Sequence, residues 1–313
     1  MSGRVRALLI ALSIVVSALA ITLWVRSFDV TGDAVAELIA GLRWWALVPI
    51  LALLALHVAL AAWRWSAIET ALGGSPGSRG QTFRFGVIAL ALGTFLPPPL
   101  VYVACRGLAN RLNGTSPVRG AISGAIDQGA DFAVVLMMAV PAVIALLARD
   151  LEFFLVGASI MAVLGFILAI VLPRIGLASR LAANVRAADL LDRGILLRAY
   201  AISLLRMINL VAITLMILVA CDGGSATAII IGVPLVTLAI SVAMLPGAIG
   251  VSEWSFTAVF AAFGLPSGET VTFVLANRLL LTGLALLLGG IVCAWMAARQ
   301  PTLRIGAGGE SAG

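Results

Sequence analysis

The sequence predicts an all-α polytopic membrane protein with six spanning helices plus two re-entrant helical pairs, about eight membrane segments in an inverted repeat. Three observations carry that prediction. The 313 residues are 62% hydrophobic and 11% charged, with a mean hydropathy of +1.15, more apolar surface than a water-soluble fold can hide. Apolar stretches of roughly 18 to 25 residues recur from end to end, each long enough to cross a hydrocarbon core of about 30 Å as a helix. Two further stretches are broken by proline, and arginines gather between the apolar segments.

The first stretch, residues 7–25, follows Arg4 and Arg6 and contains Ala18-Leu19-Ala20, which could be misread as a signal-peptidase site. Topology favours a retained helix. The second, residues 46–63, ends in Trp63-Arg64-Trp65, an aromatic and cationic boundary expected to anchor at the lipid interface. Gly73-Gly74-Ser75-Pro76-Gly77 is a turn. The third, residues 85–105, is interrupted by Pro97-Pro98-Pro99, whose missing amides and fixed φ cannot continue a helix. The fourth, residues 121–147, carries Asp127 and Asp131 at i and i+4, hence on one face. After the fifth, residues 153–172, an arginine-rich connector is expected to lay residues 177–191 on the membrane surface as an amphipathic helix.

The sixth stretch, residues 199–220, has Arg206 and Asn209 on one side and well inside it, where charge is costly unless paired or wet. The seventh, residues 226–245, ends at Pro246-Gly247-Ala248-Ile249-Gly250-Val251-Ser252-Glu253, and a short helix over 254–263 follows. The eighth, residues 270–297, contains Asn277-Arg278 near its start. Pro97, Pro246, Gly247 and Gly250 read as backbone residues that permit breaks and close approach.

Let both interrupted stretches enter and leave on one side while the other six helices span from a cytoplasmic N-terminus. Among the connecting arginines only Arg26, Arg43 and Arg149 then lie outside, as the positive-inside rule requires for a cytoplasmic membrane protein with both termini inside. Letting residues 85–105 cross fully would put the arginine-rich connector outside. The same order of elements then occurs twice in opposite orientation, in a first repeat over 1–150 and a second over 151–300, followed by a short flexible tail at 301–313. Pro97 precedes Asp127 by 30 residues and Pro246 precedes Asn277 by 31. Inverted repeats with broken helices are a common plan of secondary transporters.

Several function classes are disfavoured. Cys105, Cys221 and Cys293 are isolated and sit in or beside apolar segments, which fits packing better than a disulfide frame or a metal site. His57 is the only histidine and reads as a packed helix residue, so neither a His-pair metal centre nor the usual Ser-His-Asp triad is available. Nucleotide-binding and zinc-protease motifs do not occur. Neither catalytic residues nor a cofactor is expected, and nucleic acid is an unsuited partner because the arginines do not form a face with interleaved aromatics.

Pro246 to Glu253, then Phe263-Gly264-Leu265 and Asn277-Arg278, resemble the signature of the lysylphosphatidylglycerol synthase transmembrane region, or flippase-like proteins. Trp63-Arg64-Trp65 is similar to that family's second-helix ending, and Leu96-Pro97 with Arg106 to its first helix break. After Leu-Pro the family often carries a Gly-rich acidic run, where this chain has Pro98-Pro99-Leu100-Val101-Tyr102. The resemblance implies movement of an anionic or polyprenyl-linked lipid between leaflets, or support of glycolipid, hopanoid or envelope-lipid assembly. Larger members add a soluble aminoacyl-transfer domain; without it, no aminoacyl transfer is expected of this sequence.

A flippase needs a few polar groups lining a groove between helices. Arg206 and Arg278 are candidates to hold a phosphate, with Asn209, Asn277 and Arg106 beside them as further substrate-binding candidates. Glu253 either caps the short helix or pairs with Arg278. Asp127 and Asp131 either neutralise Arg106 or Arg119 or form a coupling-ion site. Snorkelling to the interface is the plain expectation for Arg64 and the alternative one for Arg106. A non-transporting scaffold that binds lipid or recruits a lipid-synthesis enzyme or glycosyltransferase is the rival reading.

Overall fold

The structure, a computed structural model, describes residues 3–171 and 193–299. The expected surface helix over 177–191, the connector arginines Arg174, Arg180 and Arg186, and the 301–313 tail lie outside the described residues. The described elements are helices: α1 Gly3–Ser27, α2 Gly32–Gly41, α3 Leu47–Ala71, α4 Arg79–Leu92, α5 Pro98–Leu112, α6 Pro117–Ala148, α7 Leu151–Val171, α8 Arg193–Cys221, α9 Ala226–Ala243, α10 Val251–Ala262 and α11 Ser267–Arg299. Starts follow local chemistry. The side chains of Thr31, Ser78, Ser116 and Ser225 each accept from a backbone amide three residues on, and prolines occupy the first turns of α5 and α6, where no amide donor is needed.

Six helical segments are long and apolar enough to span a membrane: Trp44–Ala71, Pro117–Ala148, Leu151–Val171, Arg193–Cys221, Ala226–Ala243 and Ser267–Arg299. The chain is therefore a multi-pass membrane protein. Five of these are spans expected from the sequence; the sixth, Ala226–Ala243, at 18 residues, is the stretch that the sequence places in the second re-entrant pair. It rises about 27 Å, near the thickness of the hydrocarbon core. The expected first span is α1, 25 residues long, whose residues from Ile14 form with α2 a pair bent by 82°. The α2 segment was not foreseen. By contrast α4 and α5, of 14 and 15 residues, rise only about 21–23 Å each and sit on either side of the first break.

The packing is reciprocal. Helix α3 lies against α8; α6 packs on α9, and α11 packs on α4, so the last long helix of each half supports the first arm of the other half's broken pair. The breaks themselves touch. The amide of Gly247 donates to the carbonyl of Leu96 at 3.2 Å. Gly247 has φ +58, and a Cβ there would stand 2.2 Å from the Thr94 carbonyl oxygen, so this approach requires glycine. Around the breaks, one apolar core runs through both halves, including Ile50, Val134, Ile213 and the mutually packed rings of Phe256, Phe260 and Phe273. Trp24 ties α1 to α10 by donating to Thr257 Oγ1 at 3.0 Å.

Candidate functional site

The polar residues of the long helices collect in two clusters on either side of the touching breaks. The first joins α3, α5, α6 and α8. Arg64 donates from Nε to Asp127 Oδ1 at 2.7 Å, from Nη2 to Asp131 Oδ2 at 2.9 Å, and from Nη1 to both Asp131 and Ser203. Arg206 donates to the same Asp131, and its Nη2 lies 2.8 Å from His57 Nε2. One carboxylate thus bridges a guanidinium of the first half to one of the second.

Two arginines sit elsewhere than the plain expectation put them. Arg64 is not an interface anchor, because α3 continues to Ala71 and the side chain is 0% exposed. Arg106 does not snorkel. It too is 0% exposed, with its guanidinium 4.4 Å from the Trp65 ring centre and 5.9 Å from that of Tyr102. Its nearest carboxylate oxygen, Asp127 Oδ2, is 3.8 Å away, and its three side-chain nitrogens make no hydrogen bond among the described residues. Glycines of α6 allow this depth: a Cβ at Gly120 would come within 2.5 Å of the Arg106 carbonyl, and one at Gly124 within 3.0 Å of Arg106 Cγ. Behind Arg106, buried Glu69 accepts from Asn110 at 2.6 Å and from Ser123, to which Trp65 donates at 2.8 Å.

The second cluster forms where α10 begins. Glu253 Oε2 accepts from the Gly250 amide and from Ser252 Oγ, both at 2.8 Å, and Arg278 Nε lies 3.6 Å from Oε1. The acid both caps its helix and faces its arginine, so the two readings of Glu253 are simultaneous. Arg278 also donates to the Gly247 carbonyl at 2.7 Å, which freezes the second break. Asn277 is buried with its Oδ1 unpartnered among the described residues. Asn209 is turned to structure instead, donating to the Leu53 carbonyl at 2.9 Å and tying α8 to α3.

Cavities connect the clusters. A space of about 180 Å³ is lined by Asp131, Arg206, His57 and Gln128; one of about 210 Å³ by Asn277, Arg278, Ser252 and Thr214; and a third, about 190 Å³, reaches from His57 and Tyr102 to Arg278. All three touch Pro98 and Leu210, so the first break forms their common wall. In the first cluster three guanidiniums face two carboxylates, an arrangement suited to an incoming anion, which can accept several charge-assisted hydrogen bonds at once.

Sequence reasoning puts Asp127, Asp131, Arg206, Glu253 and Arg278 in one central groove; the structure divides them, with Asp127, Asp131 and Arg206 in the first cluster and Glu253 with Arg278 in the second. Sequence reasoning missed the central part of Arg64 and the contributions of His57, Ser203 and Tyr102. A signal existed: His57 and Arg64, seven residues apart, share one face of an otherwise apolar helix, as do Ser203 and Arg206, three apart.

The family model described as Lysylphosphatidylglycerol synthase TM region matches residues 10–289. No match was found among curated proteins.

Proposed function

From the premise that the chain belongs to the lysylphosphatidylglycerol synthase TM region family, whose members are membrane proteins of lipid metabolism or flippase type, we propose that it moves an anionic or polyprenyl-linked (glyco)lipid between leaflets. The observation that carries this reading is the chain of cavities between the two breaks, lined by Arg206 at one end and Arg278 at the other. Charge inside a bilayer costs several kcal/mol unless it is paired or solvated, so a lipid phosphate needs such a lined route while its tails stay in hydrocarbon. At rest Asp131 and Glu253 occupy the two arginines. An arriving phosphate exchanges with Asp131 on Arg206, passes the wall formed by Pro98 and Leu210, and is received by Arg278 as Glu253 yields.

Residues 1–150 and 151–300 are, in this reading, inverted copies in the cytoplasmic membrane with both termini inside. The reciprocal packing of α6 on α9 and α11 on α4 supports it. The protein acts on its lipid without covalent chemistry.

The test reconstitutes the intact protein in vesicles carrying fluorescent anionic, zwitterionic or polyprenyl-phosphate lipid in one leaflet, and follows accessibility of the label to a membrane-impermeant quencher. Protein-dependent translocation of phosphate-bearing anionic lipid identifies the cargo. Absence of translocation for every class, with folding verified, would overturn transport and leave a lipid-binding or partner-recruiting scaffold.

A further inference from the structure

Away from the central groove, the outer faces of α3 and α4 enclose a trough of about 460 Å³, lined along its length by Leu56, Ala59, Leu60, Trp63 and Phe83 and at one end by Ser66, Arg79 and Thr82. We propose that this trough is a second lipid site, holding an anionic phospholipid with its phosphate at Arg79 and one acyl chain along α3.

The trough is amphiphilic in the way a phospholipid is. From Leu56 to Ser66 α3 rises about 15 Å, the length of a substantial part of an acyl chain. Leu56 and Trp63 are 46% and 56% exposed on a helix that spans the membrane, so this face meets lipid. Gly86 of α4 lets that helix sit against Val58 of α3, where a Cβ would come within 2.7 Å of Val58 Cγ1, so the floor of the trough is a close helix contact. The small side chains of Ala59 and Ala62 leave room in its wall.

The polar end supplies what a phosphate needs. The Arg79 guanidinium is exposed and makes no hydrogen bond or ion pair among the described residues, in contrast to Arg64 and Arg206. Arg79 is the first residue of α4, where the positive end of the helix dipole adds to its field. Ser66 adds a hydroxyl on the same rim, whereas that of Thr82 is spent on the Arg79 carbonyl at 2.8 Å. Trp63 is exposed on the wall of the trough, between its apolar length and its polar end. Both this site and the central groove belong to α3, but they share none of their lining residues except through that helix, so occupancy here is separable from transport.

Trp63 is also the reporter. Reconstituted protein is titrated with phosphatidylglycerol or phosphatidylcholine whose acyl chains are brominated, and the quenching assigned to Trp63 is taken as the difference between the wild type and Trp63→Phe. Phosphatidylglycerol is expected to be favoured at Trp63 by about fivefold over phosphatidylcholine, the preference that one interfacial arginine confers. Arg79→Ala should reduce that ratio to near one. Ala59→Trp, which fills the trough, should lower quenching by both lipids in the Trp63 difference signal. Arg84→Ala, on the same helix but stacked 4.6 Å from the Trp295 ring, should leave the ratio unchanged. Equal quenching by the two lipids, an undiminished ratio in Arg79→Ala, or an equal loss in Arg84→Ala would each overturn the proposal, the last by reducing it to a general basic collar. Each variant is accepted only with a wild-type melting temperature, and neither Arg79 nor Ala59 belongs to the central groove, so a failure here leaves the transport reading standing.

Discussion

Arg64 holds both carboxylates of α6, so removing it strands the buried Asp127 and the half-buried Asp131 with only Arg106 and Arg206 to face them. Arg64→Ala is expected to cost about 3–5 kcal/mol, seen as a large fall in melting temperature in detergent, because breaking a buried pair leaves uncompensated charge. Arg43 and Asp222 lie 2.8 Å apart but are 45% and 76% exposed, and Arg43→Ala should change stability by no more than about 1 kcal/mol. Glu253 separates two roles within one side chain. In Glu253→Gln the amide oxygen still accepts from Gly250 and Ser252, so the cap and the melting temperature should persist, while the charge opposite Arg278 is lost. Under the proposed mechanism that variant binds anionic lipid more tightly and moves it more slowly; unchanged flux together with unchanged binding would remove Glu253 from the mechanism.

The two breaks are the elements on which the site depends, and glycine chemistry makes them separately testable. Gly247→Ala places a Cβ against the Thr94 carbonyl and forces a left-handed backbone on an L-residue, so the breaks must part. Gly264 has φ +71 with open space around it, and Gly264→Ala should cost only the backbone penalty of about 1–2 kcal/mol. A melting temperature lowered equally by both substitutions would mean that the contact between breaks contributes nothing. These breaks were legible in the sequence, because Pro97-Pro98-Pro99 and Pro246-Gly247 interrupt apolar runs by covalent geometry alone. The role of Arg64 was not, since Trp63-Arg64-Trp65 looks like an interface boundary locally and its partners lie 63 and 67 residues further on. At α9 hydropathy does not separate a span from a re-entrant arm, as an apolar run of 18 residues serves either. Helix α2 escaped notice because ten residues between capping Thr31 and Gly41 carry no long apolar run.

At the scale of the whole molecule, the halves exchange support: each broken pair rests on a long helix of the other half, and Asp131 of the first half joins Arg64 to Arg206 of the second. A structure tied together in this way can rock one half against the other only if that bridge and the contact between Gly247 and Leu96 are remade during the cycle. In the proposed mechanism the charged groups at the centre do double duty, holding the resting arrangement and offering the phosphate an equivalent partner. The most direct test is the rate of leaflet exchange of anionic phospholipid in vesicles containing equal amounts of wild-type protein, Arg206→Gln or Arg278→Gln, each checked for folding. The account predicts that both variants lose exchange by an order of magnitude or more, about 1.4 kcal/mol or above in the barrier, while remaining assembled. Wild-type exchange that is indifferent to both arginines would contradict it.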